Sequence, residues 1–161
     1  MPDAVQEHNE TAERVRRFAG LAGDERVLVA GDGLAAALQA YAGNVAEADA
    51  AGLSELPFAR GAFDLAATVG VLHHVRRPEL AVAELARVTR LGGRLLVADQ
   101  LAPLDPLAAI ELDRVERERD AAHTRFLSDA DMRGLFEANG LVLLRSEHDA
   151  ATESGWYLLR R

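Results

Sequence analysis

A run of apolar and β-branched residues, Val27-Leu28-Val29-Ala30, stops on Gly31-Asp32-Gly33. Glycines at the end of a strand let the backbone turn tightly and approach a ligand with no Cβ in the way. An Ala/Leu-rich helical segment, Leu34 to Ala40, follows at once. Its first N–H groups are unpaired, point back at the same turn and favour a negatively charged group there. The order strand, glycine loop, helix therefore predicts an α/β unit whose loop can meet a ligand. An ordinary strand-to-helix turn fits the same residues, with Asp32 bracing the backbone through its own side chain.

The remaining chain alternates helix-like and strand-like segments, which predicts one α/β domain over residues 1–161 with a largely parallel sheet. Val5 to Ala19 reads as a helix with Val5, Ala12, Val15, Phe18 and Ala19 as its inner stripe and Gly20 and Gly23 as its stop. Arg26 to Ala30 is the first strand, Gly33 to Tyr41 the next helix and Asn44 to Ala48 a short strand. Phe63 to Val69 is a continuous apolar run, as in a strand buried on both faces. Pro78 to Arg90 predicts a helix with Leu80, Val82, Leu85 and Val88 inward, then a turn at Leu91-Gly92-Gly93 and a strand from Arg94 to Ala98. Pro103 and Pro106 open a charged helix to about Ala122. Ser128 caps another from Asp129 to Ala138, and strands at Leu141–Leu144 and Gly155–Leu159 close the chain.

Composition narrows the partners. The net charge of −8 disfavours nucleic acid and anionic membrane. With no cysteine, disulfides, thiolate zinc sites and cysteine nucleophiles are excluded. Nor is there a serine elbow, a P-loop lysine or a histidine–acid spacing that completes a metal site. Met1 to Glu10 is polar and acidic, and no apolar run has the length of a membrane span, so the cytoplasm is the expected compartment.

Three further stretches follow the glycine loop in order. They are Asp49-Ala50-Ala51-Gly52-Leu53-Ser54-Glu55-Leu56-Pro57-Phe58 with Gly61-Ala62-Phe63-Asp64-Leu65, then Val71-Leu72-His73-His74-Val75, then Arg90-Leu91-Gly92-Gly93-Arg94-Leu95. Together with the loop they resemble the class I S-adenosylmethionine-dependent methyltransferases, most of all the small-molecule branch that includes the ubiquinone- and menaquinone-biosynthesis enzymes. The resemblance runs from about Glu7 to the closing Gly155-Trp156-Tyr157-Leu158-Leu159 and includes Arg119-Asp120-Ala121-Ala122-His123-Thr124-Arg125. It implies a Rossmann-like three-layer sandwich with a mostly parallel sheet, an antiparallel C-terminal strand and S-adenosylmethionine as cofactor.

Carried over by residue, the resemblance sets Gly31, Asp32 and Gly33 beneath the methionine part of the cofactor. Asp49 and Ala50 fall beside the adenine, and Val69 and Gly70 at the strand end that meets the cofactor's amino group. His73 and His74 fall on the loop facing the methyl acceptor, and Gly92 and Gly93 in a structural turn. Two departures stand out. Leu34 and Ala35 occupy positions where the family continues to a further glycine, and their side chains would narrow the cofactor's amino-acid end. Only Leu34 to Ala48 separates the loop from Asp49, where the family has a further helix and a second strand ending in the ribose-binding acid. An acid about 20 residues beyond the loop is the usual ribose ligand, and Glu47 and Asp49 both lie nearer than that. The shortening predicts about six strands, with Val27–Ala30 pairing directly with Asn44–Ala48 and a new edge through which a homodimer could form.

Two functions follow. One is methyl transfer from S-adenosylmethionine to a small molecule, with His73, His74 or His123 as the base if the acceptor arrives protonated, since histidine titrates near neutrality. The other is a degenerate methyltransferase-fold protein that binds cofactor weakly or not at all and serves as an interaction or regulatory module. A nucleotide-sugar or NAD enzyme would explain the glycine loop but not the histidine loop or the Leu56-Pro57-Phe58 segment. The histidine pair also reads as a plain polar loop, and the charged run Glu111–Asp120 as a salt-bridged solvent face.

Overall fold

A computed structural model describes residues 3–161. Helix α1 spans Ala4–Ala19, capped by the Asp3 carboxylate and stopped by Gly20 in the left-handed region at φ 67°. Strand β1 (Arg26–Ala30) leads through the glycine loop into a short α2 (Leu34–Leu38), and β2 (Asn44–Ala48) follows. Next come β3 (Phe63–Val69), a 3-10 turn at Leu72–His74, α3 (Pro78–Val88) and the long β4 (Thr89–Gln100). Helices α4 (Pro106–Arg119) and α5 (Asp129–Ala138) precede the hairpin β5 (Val142–Asp149) and β6 (Ser154–Arg160).

The six strands lie in the order β2-β1-β3-β4-β6-β5. Strand β2 pairs directly with β1, in parallel from Arg26 opposite Asn44 to Ala30 opposite Ala48, and its outer side is a sheet edge. β3 and β4 extend the parallel part, while β6 runs antiparallel to both β4 and β5. Alternation along each strand splits the core into two layers. Val27, Val29, Leu65, Ala67 and Leu96 face α1 and α2 through Val15, Phe18 and Leu38. Leu28, Ala66, Leu95, Val97 and Leu159 face α3 and α5 through Val82, Leu85, Met132 and Phe136.

Several sequence expectations are corrected. Val5 is 62% exposed because it precedes the part of α1 that reaches the sheet, and Leu80 faces solvent on the outer side of α3. Helix α2 ends at Leu38, since the chain must turn back at once to enter β2. Leu91-Gly92-Gly93 is no turn between elements but an irregularity inside β4, where the pairing with β3 jumps from Phe63–Thr89 to Leu65–Arg94. Gly92 takes φ 75° there, and a β-carbon on Gly93 would lie 2.8 Å from the Arg90 carbonyl oxygen. β5 runs on to Asp149 because ladder hydrogen bonds to β6 need no apolar side chain.

Candidate functional site

The carboxyl ends of β1, β2, β3 and β4 converge where the strand order reverses at β1, the place where open α/β sheets leave a crevice. A cavity of about 290 Å³ opens there. Gly31, Asp32 and Leu34 line it from the glycine loop, Ala48, Asp49 and Ala50 from the end of β2, and Val69 and Gly70 from the end of β3. Glu7, His8 and Thr11 of α1 close it from above, and His74 reaches it from the 3-10 turn. A β-carbon on Gly31 would sit 3.2 Å from the Val69 carbonyl oxygen, so glycine here keeps two strand ends close. Gly70 adopts φ 68° with open space beside it.

Gly33 sits elsewhere in the loop. It takes φ 71° at the head of α2, and the imidazole of His8 packs directly on it. Leu34 is buried and touches the cavity, whereas Ala35 is buried in the α1-side core and lies off the cavity lining. Of the two acids near the end of β2, Asp49 lines the cavity and Glu47 does not. Asp49 Oδ1 also accepts from the Gly52 N–H at 2.8 Å, which bends the chain toward Leu53 and Leu56.

A second cavity of about 490 Å³ adjoins the first and shares Glu7, Thr11, Val69 and Gly70 with it. His73, Asp99, Gln100 and Arg14 supply its polar side chains, with Thr152, Ser154 and Trp156 from the β5–β6 hairpin. The Arg14 guanidinium lies 4.0 Å over the Trp156 ring and pairs with Asp149 at 2.8 Å, tying α1 to that hairpin.

The three histidines come together, each with its own aspartate. His73 Nδ1 is 2.7 Å from Asp99 Oδ1, His74 Nε2 is 2.7 Å from Asp120 Oδ2, and His123 Nε2 is 2.8 Å from Asp113 Oδ1. The rings of His73 and His74 are 4.0 Å apart and those of His73 and His123 5.6 Å, with Phe126 against both His73 and His123. His123 is buried with a side chain only 1% exposed, and it lines neither cavity. Thr124 donates from both its N–H and its hydroxyl to the His73 carbonyl, each at 2.8 Å, fastening the segment after α4 to the 3-10 turn. Burial lowers the His73 pKa, but the hydrogen bond to Asp99 and the charges of Asp99, Asp120 and Glu116 outweigh it, and the balance is upward.

Asp99, Glu7, Thr11 and Arg14 are among the lining residues that sequence reasoning did not single out. Asp99 carried a signal, since it is an acid closing the apolar strand run Leu95-Leu96-Val97-Ala98 at the end where ligands gather. The α1 residues carried none beyond helical periodicity.

Residues 9–97 match the family described as "Methyltransferase domain". The Bacillus subtilis protein YcgJ, called an uncharacterized methyltransferase, is 36% identical over 87 residues, 54% of this chain and 34% of that protein. Escherichia coli YafE, an uncharacterized protein, is 34% identical over 88 residues, 55% of this chain and 42% of that one. The chain thus spans well under two thirds of the length of these curated relatives. Among solved structures, a candidate methyltransferase of Bacillus halodurans superposes with TM-score 0.77 at 28% identity, covering 84% of this chain and 68% of that one. A Burkholderia thailandensis 1,6-didemethyltoxoflavin-N1-methyltransferase, solved with S-adenosylhomocysteine, shares the fold with TM-score 0.67 at 16% identity, over 96% of this chain and 77% of that one. These likenesses carry the Rossmann-like sandwich and antiparallel C-terminal strand pair along with the family match. The chain belongs to the methyltransferase domain family.

Proposed function

We propose that this domain transfers a methyl group from S-adenosylmethionine to a small-molecule acceptor, with the cofactor in the 290 Å³ cavity and the acceptor in the 490 Å³ cavity beside it. The observation that carries this reading is the charge of the first cavity. Glu7, Asp32 and Asp49 line it together with His8 and His74, and among the described residues no arginine does. A ligand bearing a sulfonium and an ammonium group suits three carboxylates, whereas the phosphates of NAD or a nucleotide sugar would meet repulsion there. Gly31 and Gly70 leave their side of the cavity free of Cβ atoms, room that the cofactor's amino-acid end needs.

Bound there, the cofactor supplies an electrophilic methyl carbon, and the protein's part is proximity and orientation. Asp49 takes the place of an acid accepting from ribose or adenine hydroxyl and amine donors, while Ala50 and Val69 pack beside it. Glu7 and Thr11 stand at the boundary shared by both cavities, where a methyl group would cross. The second reading, a degenerate module with weak or no cofactor binding, rests on the single acid left at the end of β2 and on buried Leu34 in the cavity wall. Calorimetric titration with S-adenosylmethionine and S-adenosylhomocysteine decides between them. Micromolar binding of either supports the enzyme, and no heat at millimolar ligand leaves the module.

A further inference from the structure

We propose that two copies of this chain join through the free edge of β2, in an antiparallel strand pair centred on Ala46 that merges their two six-stranded sheets into one. The inference concerns a surface outside the proposed chemistry and holds whichever ligand the cavity takes.

Strand β2 is the last strand on its side of the sheet and pairs with β1 alone. The Asn44 N–H donates to the Glu25 carbonyl at 3.2 Å, so Asn44 turns its peptide groups toward β1. Successive residues of a strand turn theirs to opposite sides, and Ala46 and Ala48 follow Asn44 inward. Val45 and Glu47 therefore each aim an N–H and a C=O away from the sheet. A second β2 laid antiparallel along this edge sets Val45 opposite the partner's Glu47, and Glu47 opposite the partner's Val45. All four outward groups of each copy then close a ladder with the other. Ala46 meets the partner's Ala46 on the two-fold axis, as a pair without hydrogen bonds and with Cα atoms about 4.5 Å apart.

The side chains suit a second copy of the same strand. Glu47 is the one charged residue of β2, and it stands opposite a valine. The two Glu47 residues become diagonal neighbours, about 7–8 Å apart, and are not directly opposed. On the other face alanines meet at the axis, so nothing bulky holds the backbones apart. Both layers of the core also thin out here. Tyr41, Ala42 and Val45 on the α1 side are only partly buried, as are Ala46 and Ala48 on the α3 side, and a neighbouring strand would cover them.

The opposite edge of the sheet is built differently. Strand β5 carries a bulge between Leu143 and Arg145, and Arg145, Glu147 and His148 stand exposed along it. Bulges and charges are the devices that keep sheet edges from pairing. β2 pairs with β1 in unbroken register and holds neither a proline nor a basic residue. In the paired arrangement the partner's Asn44 stands opposite Ala48, so the interface runs up to the cavity wall that carries Ala48 and Asp49.

The chain has no cysteine, which allows a single thiol to report the register. Ala46→Cys sets two thiols face to face at a spacing that a disulfide accepts. With oxidised glutathione it is expected to form a covalent dimer more than about tenfold faster than Leu144→Cys on the β5 edge. Sedimentation equilibrium of wild type is expected to give twice the monomer mass when concentrated and the monomer mass on dilution. Over the same range the Val45 and Glu47 amides should exchange slowly in the concentrated sample and faster on dilution. Glu47→Pro removes an outward N–H and no bond to β1, so it should fold and give the monomer mass at every concentration. Wild type that stays monomeric throughout overturns the proposal. So does a dimer whose Val45 and Glu47 amides exchange freely, or a folded Glu47→Pro that remains dimeric, since the copies then meet elsewhere. Cross-linking of Leu144→Cys as fast as Ala46→Cys overturns it in the same way. Should Glu47→Pro not fold, amide exchange and the Ala46→Cys cross-link decide.

Discussion

Glu84 Oε2 accepts a hydrogen bond from the Leu56 N–H at 2.8 Å, joining α3 to the irregular segment that follows Asp49. Arg87 completes the clasp. It donates to the Phe58 and Leu56 carbonyls at 2.9 and 3.1 Å and pairs with Glu84 at 2.6 Å. Two charged side chains of one helix thus satisfy the backbone of a stretch that has no ladder of its own. Leu53 and Leu56 are thereby seated in the core beneath the end of β2, and the wall bearing Asp49 and Ala50 is held in place.

Glu84→Gln is expected to destabilise the fold by about 1.5–3 kcal/mol at neutral pH, the usual worth of a hydrogen bond to a charged group. The Arg87 guanidinium beside Glu84 holds its carboxyl below the ordinary carboxylate range, against a smaller opposing effect of burial. A lowered folded pKa means stability that is present above the unfolded value near 4.3 and lost as pH falls through the folded one. Urea midpoints at pH 7 and pH 4 should therefore drop more steeply for wild type than for Glu84→Gln. Equal drops would show that the clasp does not depend on the carboxylate charge.

Strands β1, β2 and β3 have the bounds their residues suggest, because each apolar stretch is closed by a glycine, an acid or a polar turn. The direct pairing of β1 with β2 was legible from chain length alone, since Leu34 to Ala48 leaves no room for a further strand. Helix α5 was equally readable. Ser128 and Asp131 form a reciprocal capping box at its start, and Asn139 ends it. The bulge in β4 was not, because two glycines read as a turn unless the partner strand is known. The same limit hid Asp99. Its meaning comes from His73, 26 residues away in sequence, and no local pattern announces that pairing. The clasp of Glu84 and Arg87 reads in sequence only as an ordinary i, i+3 helix pair.

Asp49→Ala is expected to weaken S-adenosylhomocysteine binding about tenfold to a hundredfold, the loss of one charged acceptor worth about 1.5–3 kcal/mol. Its Oδ1 also braces the Gly52 N–H, so a stability loss of about 0.5–1.5 kcal/mol should accompany it. Calorimetry on Asp49→Ala and Glu47→Ala separates the roles. Glu47 lies off the cavity and should bind as wild type does. A binding loss confined to Glu47→Ala would place the ligand outside the cavity that Asp49 lines.

Gly31→Val is expected to lower S-adenosylhomocysteine affinity more than tenfold. Its Cβ would lie 3.2 Å from the Val69 carbonyl oxygen and 3.4 Å from Leu34 Cδ2, and the added methyls would enter the cavity. Overpacking of this kind costs about 1–3 kcal/mol, a loss that leaves the fold intact and is measurable by urea. Gly31→Ala should lose less of both. Full affinity in a folded Gly31→Val protein would move the ligand away from the loop.

His123→Ala separates structure from chemistry among the three histidines. The ring is buried against Phe126, 4.5 Å between centroids, and Nε2 meets the same Asp113 oxygen that accepts from the Phe126 N–H at 3.0 Å. Removing it empties space in a packed site and takes one of two partners from a half-buried carboxylate. The expected cost is about 1–3 kcal/mol. For a chain of this length, each kcal/mol lowers Tm by roughly 2–4 °C. Because His123 lines neither cavity, affinity for S-adenosylhomocysteine should stay within about twofold of wild type. Any fall in turnover should follow the loosened grip of α4 and Thr124 on the 3-10 turn, and should be recovered in part by lowering the temperature. His123→Gln places its amide near the position of Nε2, can still hydrogen-bond Asp113 and should regain part of the lost stability. Turnover abolished at unchanged Tm would instead assign His123 to the chemistry itself.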